Sequence, residues 1–232
     1  MSRKTRCQAI VDTLKDFYGA PAQPRITDPF EMILHENVAY LVDDARRDQA
    51  FDRLKKTIGT QPADILSASP DDLNQITSFG HINLHGQVAK LVKAAQIALQ
   101  DFGGDLAAAL ERPIHQGRQA RAALKKFPGI GDPGADKILL FNKKLPVLAL
   151  DSNGLRVLAR IGYVKEGPNY AATYRAAQQA IVPEVPNDFE WLVSAHQLLR
   201  RHGKELCKRT KPHCGRCPLA VCDYVTKQEG GR

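Results

Sequence analysis

The chain has 232 residues, 43% of them hydrophobic, with 33 Lys and Arg against 25 Asp and Glu, a net charge of +8. That length and apolar content can bury a core in one large domain or two small ones. No run approaches the ~18 apolar residues of a membrane helix, and no apolar segment follows the basic start Met1 to Arg6. A membrane role is therefore not expected. The reading is of a soluble, cytoplasmic monomer whose surplus positive charge favours an anionic partner, nucleic acid first.

Helical periodicity runs through most of the chain and strand alternation is nearly absent, so the fold reads as all-α. Near the start, Cys7, Ile10, Val11, Leu14, Phe17 and Tyr18 form one apolar stripe at i, i+3, i+4 and i+7, which would bury the Cys7 thiol as packing. Asp28-Pro29 opens a second helix, an apolar stretch up to Val42 interrupted by the polar trio His35, Glu36 and Asn37. Polar groups in such company need partners or a purpose. Glu36 reads either as a buried acid paired with His35 or a backbone donor, or as a carboxyl whose pKa burial raises, able to protonate a leaving group or position water. Further along, Ser69-Pro70 and Arg112-Pro113 open helices, and Leu84, Val88, Leu91, Val92 and Ala95 form another stripe. Gly59, Gly80, Gly103-Gly104, Gly162 and Gly203 mark helix ends. No solenoid repeat is present, and the chain divides into a helical domain over 22–145 and a second unit in the remainder.

The segment Leu124 to Leu140 reads as a helix end, a Gly-Ile-Gly hairpin and a new helix with Pro at its start. Gly129 and Gly131 leave backbone N–H groups uncovered at a helix N-terminus, where dipole and unpaired donors suit a phosphate, and Lys125 and Lys126 add charge. A tight turn between packed helices would use the same residues. The apolar run Pro146 to Leu150 then ends on Asp151, a single carboxylate at a buried edge that is also suited to cap a helix beginning near Asn153.

Cys207, Cys214, Cys217 and Cys222 follow the pattern C-x6-C-x2-C-x4-C. Four thiolates in so short a loop make a metal site. Only Cys214 and Cys217 form the short knuckle that structural zinc sites use twice. The spacing favours a 4Fe-4S cluster on four thiolates, with zinc and disulfides as the alternatives. Arg200, Arg201, Lys204, Lys208, Arg209, Lys211 and Arg216 surround the loop, a density suited to phosphate contact through counterion release.

In this order, Pro-Gly-Ile-Gly over 128–131, Leu-Asp-Ser over 150–152, His202-Gly203 and the four cysteines resemble the helix-hairpin-helix base-excision DNA glycosylases of the endonuclease III superfamily. The likeness spans roughly residues 28 to 224. It implies two helical domains with duplex DNA bound in the cleft between them. One is a barrel domain over 22–145 carrying the hairpin motif at about 113–142, and the other an iron-sulfur domain of 1–21 plus 146–232. It implies a hairpin on phosphates, a cluster loop bracing the basic surface, and a role for Asp151 in opposing the positive charge that grows on the deoxyribose as the base departs. Cleaving an N-glycosidic bond passes through an oxocarbenium-like state, which a fixed carboxylate stabilises. By the same likeness Glu36 aligns with the catalytic glutamate of the related adenine and thymine-mismatch glycosylases. Leu41 falls where the family fills the gap left by a flipped nucleotide, core packing being the alternative.

The chain also departs from that family. Members with lyase activity carry a lysine two residues after the second hairpin glycine, and its amine forms a Schiff base with the sugar. Here the position is Pro133, so water is the expected attacker. Lys137 lies one helical turn further and would have to reach back. The implied protein is a monofunctional glycosylase acting on duplex DNA with a damaged or mismatched base, and binding abasic DNA. The alternatives are a bifunctional glycosylase and lyase using another lysine, and a non-catalytic lesion-binding or redox-responsive iron-sulfur protein. The stretch Phe79 to Gly86 matches the family only loosely, with His81 and His85 as candidate DNA contacts. Four residues rather than the usual five separate Cys217 from Cys222, which is kept as the fourth ligand.

Overall fold

The computed structural model describes residues 4–40, 42–78, 84–112, 117–219, 222 and 224, with the side chains of 84 and 85 left aside. All regular elements among them are helical, and the chain divides into two units, Pro24–Lys144 and Met1–Gln23 with Leu145–Arg232.

The unit Pro24–Lys144 contains α2 (Pro29–Asn37), α3 (Asp44–Thr57), α4 (Pro62–Ser67), α5 (Pro70–Thr77), α6 (Leu84–Phe102), α7 (Leu106–Glu111), α8 (Arg118–Leu124) and α9 (Asp132–Phe141). Its helices start where a short polar side chain can take an orphan amide: Asp28 accepts from Glu31 N at 2.8 Å and Ser69 from Asp72 N at 3.1 Å, each followed by Pro in the first turn. Helices α2, α4 and α5 pack on α6. The face α6 offers them runs through Gln87, Leu91, Ala94, Ala95 and Ala98, all buried. Val88 and Val92 lie at its flank rather than at its centre. Alanines let neighbouring backbones come close, so the small residues take the middle of the contact and the β-branched ones its edge.

The second unit contains α1 (Arg6–Tyr18), α10 (Ser152–Arg160), α11 (Tyr170–Ile181) and α12 (Phe189–Glu205). Helix α1 is fixed by a capping box between Thr5 and Gln8 and by two bonds to Glu184: Thr5 Oγ1 donates to its carbonyl at 2.6 Å and Cys7 N to its carboxylate at 2.8 Å. Cys7 is buried beside Val11 and Leu14, and burial, reinforced by Glu184, pushes its thiol up to about 12. Phe17 leaves the stripe and is exposed.

Gly203, expected at a helix end, lies inside α12. A Cβ there would meet the Asn153 carbonyl oxygen at 2.6 Å. The glycine is thus set by the close crossing of α12 over α10, a tertiary demand that helix-end statistics do not carry. The run Val147 to Leu150 is buried and lies outside the helices, with no strand beside it among the described residues. Its carbonyls are served by side chains instead: Gln178 Nε2 donates to Leu148 O at 2.8 Å, and His196 Nδ1 lies 2.8 Å from Ala149 O.

Candidate active site and cysteine-lined cavity

The hairpin between α8 and α9 is anchored by Phe127, buried and stacked on Phe102 at 5.6 Å, and by buried Ile130. Gly129 has φ +74°, and a Cβ there would sit 2.9 Å from Asn37 Oδ1. Asn37, buried in the last turn of α2, donates to Ile33 O and Pro128 O, both at 2.9 Å, and so ties that helix to the turn. Gly131 has an ordinary extended backbone and precedes α9 without a side-chain cap, leaving the first amides of that helix to another acceptor. Lys125 and Lys126 are engaged: the first pairs with Asp132 at 2.6 Å, the second with Asp101 at 2.8 Å. Behind the hairpin, Arg121 forms an ion pair with buried Asp136.

Glu36 faces Lys137, Oε2 to Nζ 3.4 Å, while His35 turns instead to Asp48 at 2.7 Å. The raised pKa expected from burial is not what this environment gives. The Lys137 ammonium outweighs desolvation, Arg47 adds to it, and the carboxyl is held below the usual glutamate range. Burial lowers the His35 pKa despite Asp48. Arg47 keeps a buried Nε without a hydrogen-bond partner among the described residues.

Asp151 is the N-cap of α10. Its Oδ1 accepts from Asn153 N at 3.0 Å and Gly154 N at 2.8 Å, and its Oδ2 from Asn153 Nδ2 at 2.9 Å, with Arg200 Nε at 3.3 Å. Every one of these partners is a donor, so the group is held by acceptor contacts alone. The two readings of Asp151, cap and functional carboxylate, meet in one geometry. Desolvation and then the Asp151 charge push the hydroxyl of Tyr170, at the start of α11, up to about 12.

The cysteine loop leaves α12 through Cys207 N, which donates to His202 O at 2.8 Å, and His213 N returns to Leu206 O at 2.9 Å. Cys207, Cys214, Cys217 and Cys222 are all free thiols, and with Leu206, Pro212 and Leu219 they line one cavity. Among the described residues no three Cys, His, Asp or Glu side chains close to the spacing of ligands on a single ion. Two arginines of α10 hold the loop. Arg156 donates from Nε to Cys207 O at 2.8 Å and from Nη2 to Gly203 O at 2.7 Å and Asn153 Oδ1 at 2.9 Å. Arg160 reaches Cys207 Sγ at 3.4 Å, Lys208 O at 2.7 Å and Arg209 O at 3.0 Å, and stacks on Tyr224.

No protein-family model matches the chain. It is 24% identical to endonuclease III of Thermotoga maritima over 213 residues, 91% of this chain and 90% of that protein. Its fold superposes on a trapped endonuclease III–DNA covalent intermediate with a TM-score of 0.76 at 20% identity, covering 99% of this chain and 100% of the other. A thermostable thymine-DNA glycosylase gives a TM-score of 0.74 at 18% identity over 95% and 97% of the two chains. Over most of its length the chain is thus similar in sequence to endonuclease III and shares the fold of helix-hairpin-helix DNA glycosylases.

In this endonuclease III-like chain several basic residues read as phosphate contacts have partners of their own. Arg200 lies against Asp151, and Arg201 pairs with Glu205 at 2.8 Å, donates to Tyr18 O at 3.2 Å and stacks on the Tyr18 ring. Lys204 is exposed and has an interaction partner of its own, whereas Lys208 and Arg209 are exposed on the cysteine loop. Leu41 lies outside the described residues, as do residues 79–83, His81 among them, and the side chain of His85. Sequence reasoning passed over Asn37 as a hairpin tie, Lys137 as the partner of Glu36, and Arg156 and Arg160 as the loop's braces. The i, i+4 spacing of the two arginines on one helix is the signal that would have found them.

Proposed function

We propose that the chain is a monofunctional DNA N-glycosylase that extrudes a damaged or mismatched nucleotide from duplex DNA and hydrolyses its N-glycosidic bond. The observation that carries this reading is Pro133 in the first turn of α9, where no side-chain amine is available, together with Asp151 fixed from several directions as a carboxylate. Asp151 opposes the charge growing on the sugar as the C1′–N bond breaks and its electron pair leaves with the base. The oxygen of a water molecule then bonds to C1′ and gives up a proton. Glu36, kept ionised by Lys137, is suited to receive that proton rather than to donate one. The amides around Gly129 and Gly131 serve a phosphate, while Lys208 and Arg209 add positive charge.

Four free thiols around one cavity fit a 4Fe-4S cluster, which takes one thiolate per iron and so spreads its ligands over a cuboid instead of drawing them to a point. Cys207, Cys214, Cys217 and Cys222 would hold it. Its contribution here is to cross-link the loop and couple assembly of the group to folding of that unit.

The decisive experiment incubates purified protein with duplexes bearing defined lesions and mismatches, with and without alkali, and repeats the reaction with borohydride. Base release with alkali-dependent strand breaks and no trapped adduct supports the reading. A second reading is lyase chemistry through Lys137, the amine on α9 one helical turn beyond Pro133. A borohydride-trapped adduct lost in Lys137→Met would replace the first reading with the second.

A further inference from the structure

Beside the cysteine loop, the unit of α10 and α11 carries a surface groove of about 1020 Å³. It runs along the outer side of α10 and past residues 162–170 to the start of α11. Its size lies at the upper end of the range of about 300–1,000 Å³ for pockets that enclose a small ligand. Four cationic side chains line it, Arg156, Arg160, Lys165 and Arg209, against one acid, Glu166. None of the four has a carboxylate at ion-pair distance among the described residues. Arg156 and Arg160 spend donors on carbonyls, and Arg160 also reaches Cys207 Sγ, which fixes the position of both guanidinium groups and leaves Lys165 and Arg209 as the groove's free charges.

Tyr170 adds an aromatic ring to the lining of the groove. Tyr170 stacks on Tyr174 with ring centroids 6.3 Å apart and planes 23° from parallel. Tyr174 is 2% exposed and Tyr170 44%, so the buried ring anchors the exposed one, and Tyr170 lines the groove. A rigid ring beside several cations is the combination that binds single-stranded polynucleotide: the charges track the backbone and each base has a π-face to stack. Duplex DNA offers no free base face, and a small anion has no use for the ring.

We propose that this groove binds a single-stranded DNA segment, with one base stacked on Tyr170 and its phosphates facing Arg156, Arg160, Lys165 and Arg209. The proposal goes beyond base excision and does not depend on it. The strand binds whether or not the protein releases a base.

The test is fluorescence anisotropy of a labelled oligothymidylate with the full chain at several salt concentrations, using folded variants checked by circular dichroism. Tyr170→Ala should weaken binding roughly 5- to 150-fold, the equivalent of about 1–3 kcal/mol per stacked base. Tyr170→Phe should keep it. Lys165→Glu, at an exposed position between α10 and α11, should weaken binding and flatten its salt dependence. Lesion-duplex cleavage is scored separately, so failure of one reading leaves the other standing. Absence of oligothymidylate binding, equal binding by Tyr170→Ala, or equal displacement by inorganic phosphate, which would mark a generic anion site, each overturns the proposal.

Discussion

Gly203 lies directly under Asn153: a Cβ on the first would come within 2.6 Å of the carbonyl oxygen of the second. Backbone cannot yield as the end of a flexible side chain can. Gly203→Ala should therefore force α10 and α12 apart and destabilise their unit by about 1–3 kcal/mol, the usual cost of overpacking. Thermal denaturation followed by circular dichroism reads this directly, and an unchanged midpoint would show that the two helices are free to separate.

Asp151 can be dissected because its two roles call for different atoms. Asn retains an oxygen for the Asn153 and Gly154 amides and is itself a good N-cap, so Asp151→Asn should keep fold and DNA binding. Base release should fall by roughly 100-fold or more, the scale of losing one preorganised electrostatic group. Asp151→Ala should in addition cost about 0.5–2 kcal/mol of stability through the lost cap. Full activity in the Asn variant would remove the carboxylate mechanism.

The Glu36–Lys137 pair makes a pH prediction. Because Lys137 holds the folded-state pKa of Glu36 down, the carboxylate form, and the stability the pair contributes, persists above the unfolded pKa of about 4.3 and is lost as pH falls through the lower folded value. If Glu36 is the base, the acidic limb of the rate profile lies below the ordinary glutamate range, and Lys137→Met moves it upward. A limb that does not move in that variant would assign it to another group.

Pro133 can be converted to the missing amine. Pro133→Lys should yield a borohydride-trapped covalent adduct with abasic duplex that the parent protein does not give, since proline in the first turn of α9 contributes no hydrogen bond that lysine would break. Denaturing electrophoresis after reduction shows the adduct; no shift would mean that this turn does not face the sugar.

Arg160→Leu should loosen the cysteine loop, leaving the Lys208 and Arg209 carbonyls without their donor. If the four thiols hold a cluster, iron and acid-labile sulfide per chain should drop although every cysteine remains. Unchanged stoichiometry would show that the thiols suffice alone.

How much of this could be read beforehand follows the range of the interactions. The all-α character, the helix starts at Asp28-Pro29 and Ser69-Pro70, and the buried stripe through Cys7, Val11 and Leu14 are local patterns, fixed within a turn or two. The partners of charged residues are not. Lys126 meets Asp101 and Glu36 meets Lys137 only once distant helices pack, so a lysine near a phosphate-binding turn and a lysine neutralised by an acid look alike in one dimension. Gly203 misled for the same reason, since a glycine that ends a helix and one that admits a neighbour have the same composition.

The run from Val147 to Leu150 behaves as a taut strap more than as part of a framework. With the Leu148 carbonyl bonded to Gln178 and the Ala149 carbonyl to His196, it cannot creep lengthwise by a residue without stranding both acceptors in an apolar interior. The height at which Asp151 emerges is thereby set by two side chains on two other helices, and wear at either fastening would be felt at the carboxylate before it was felt in the fold.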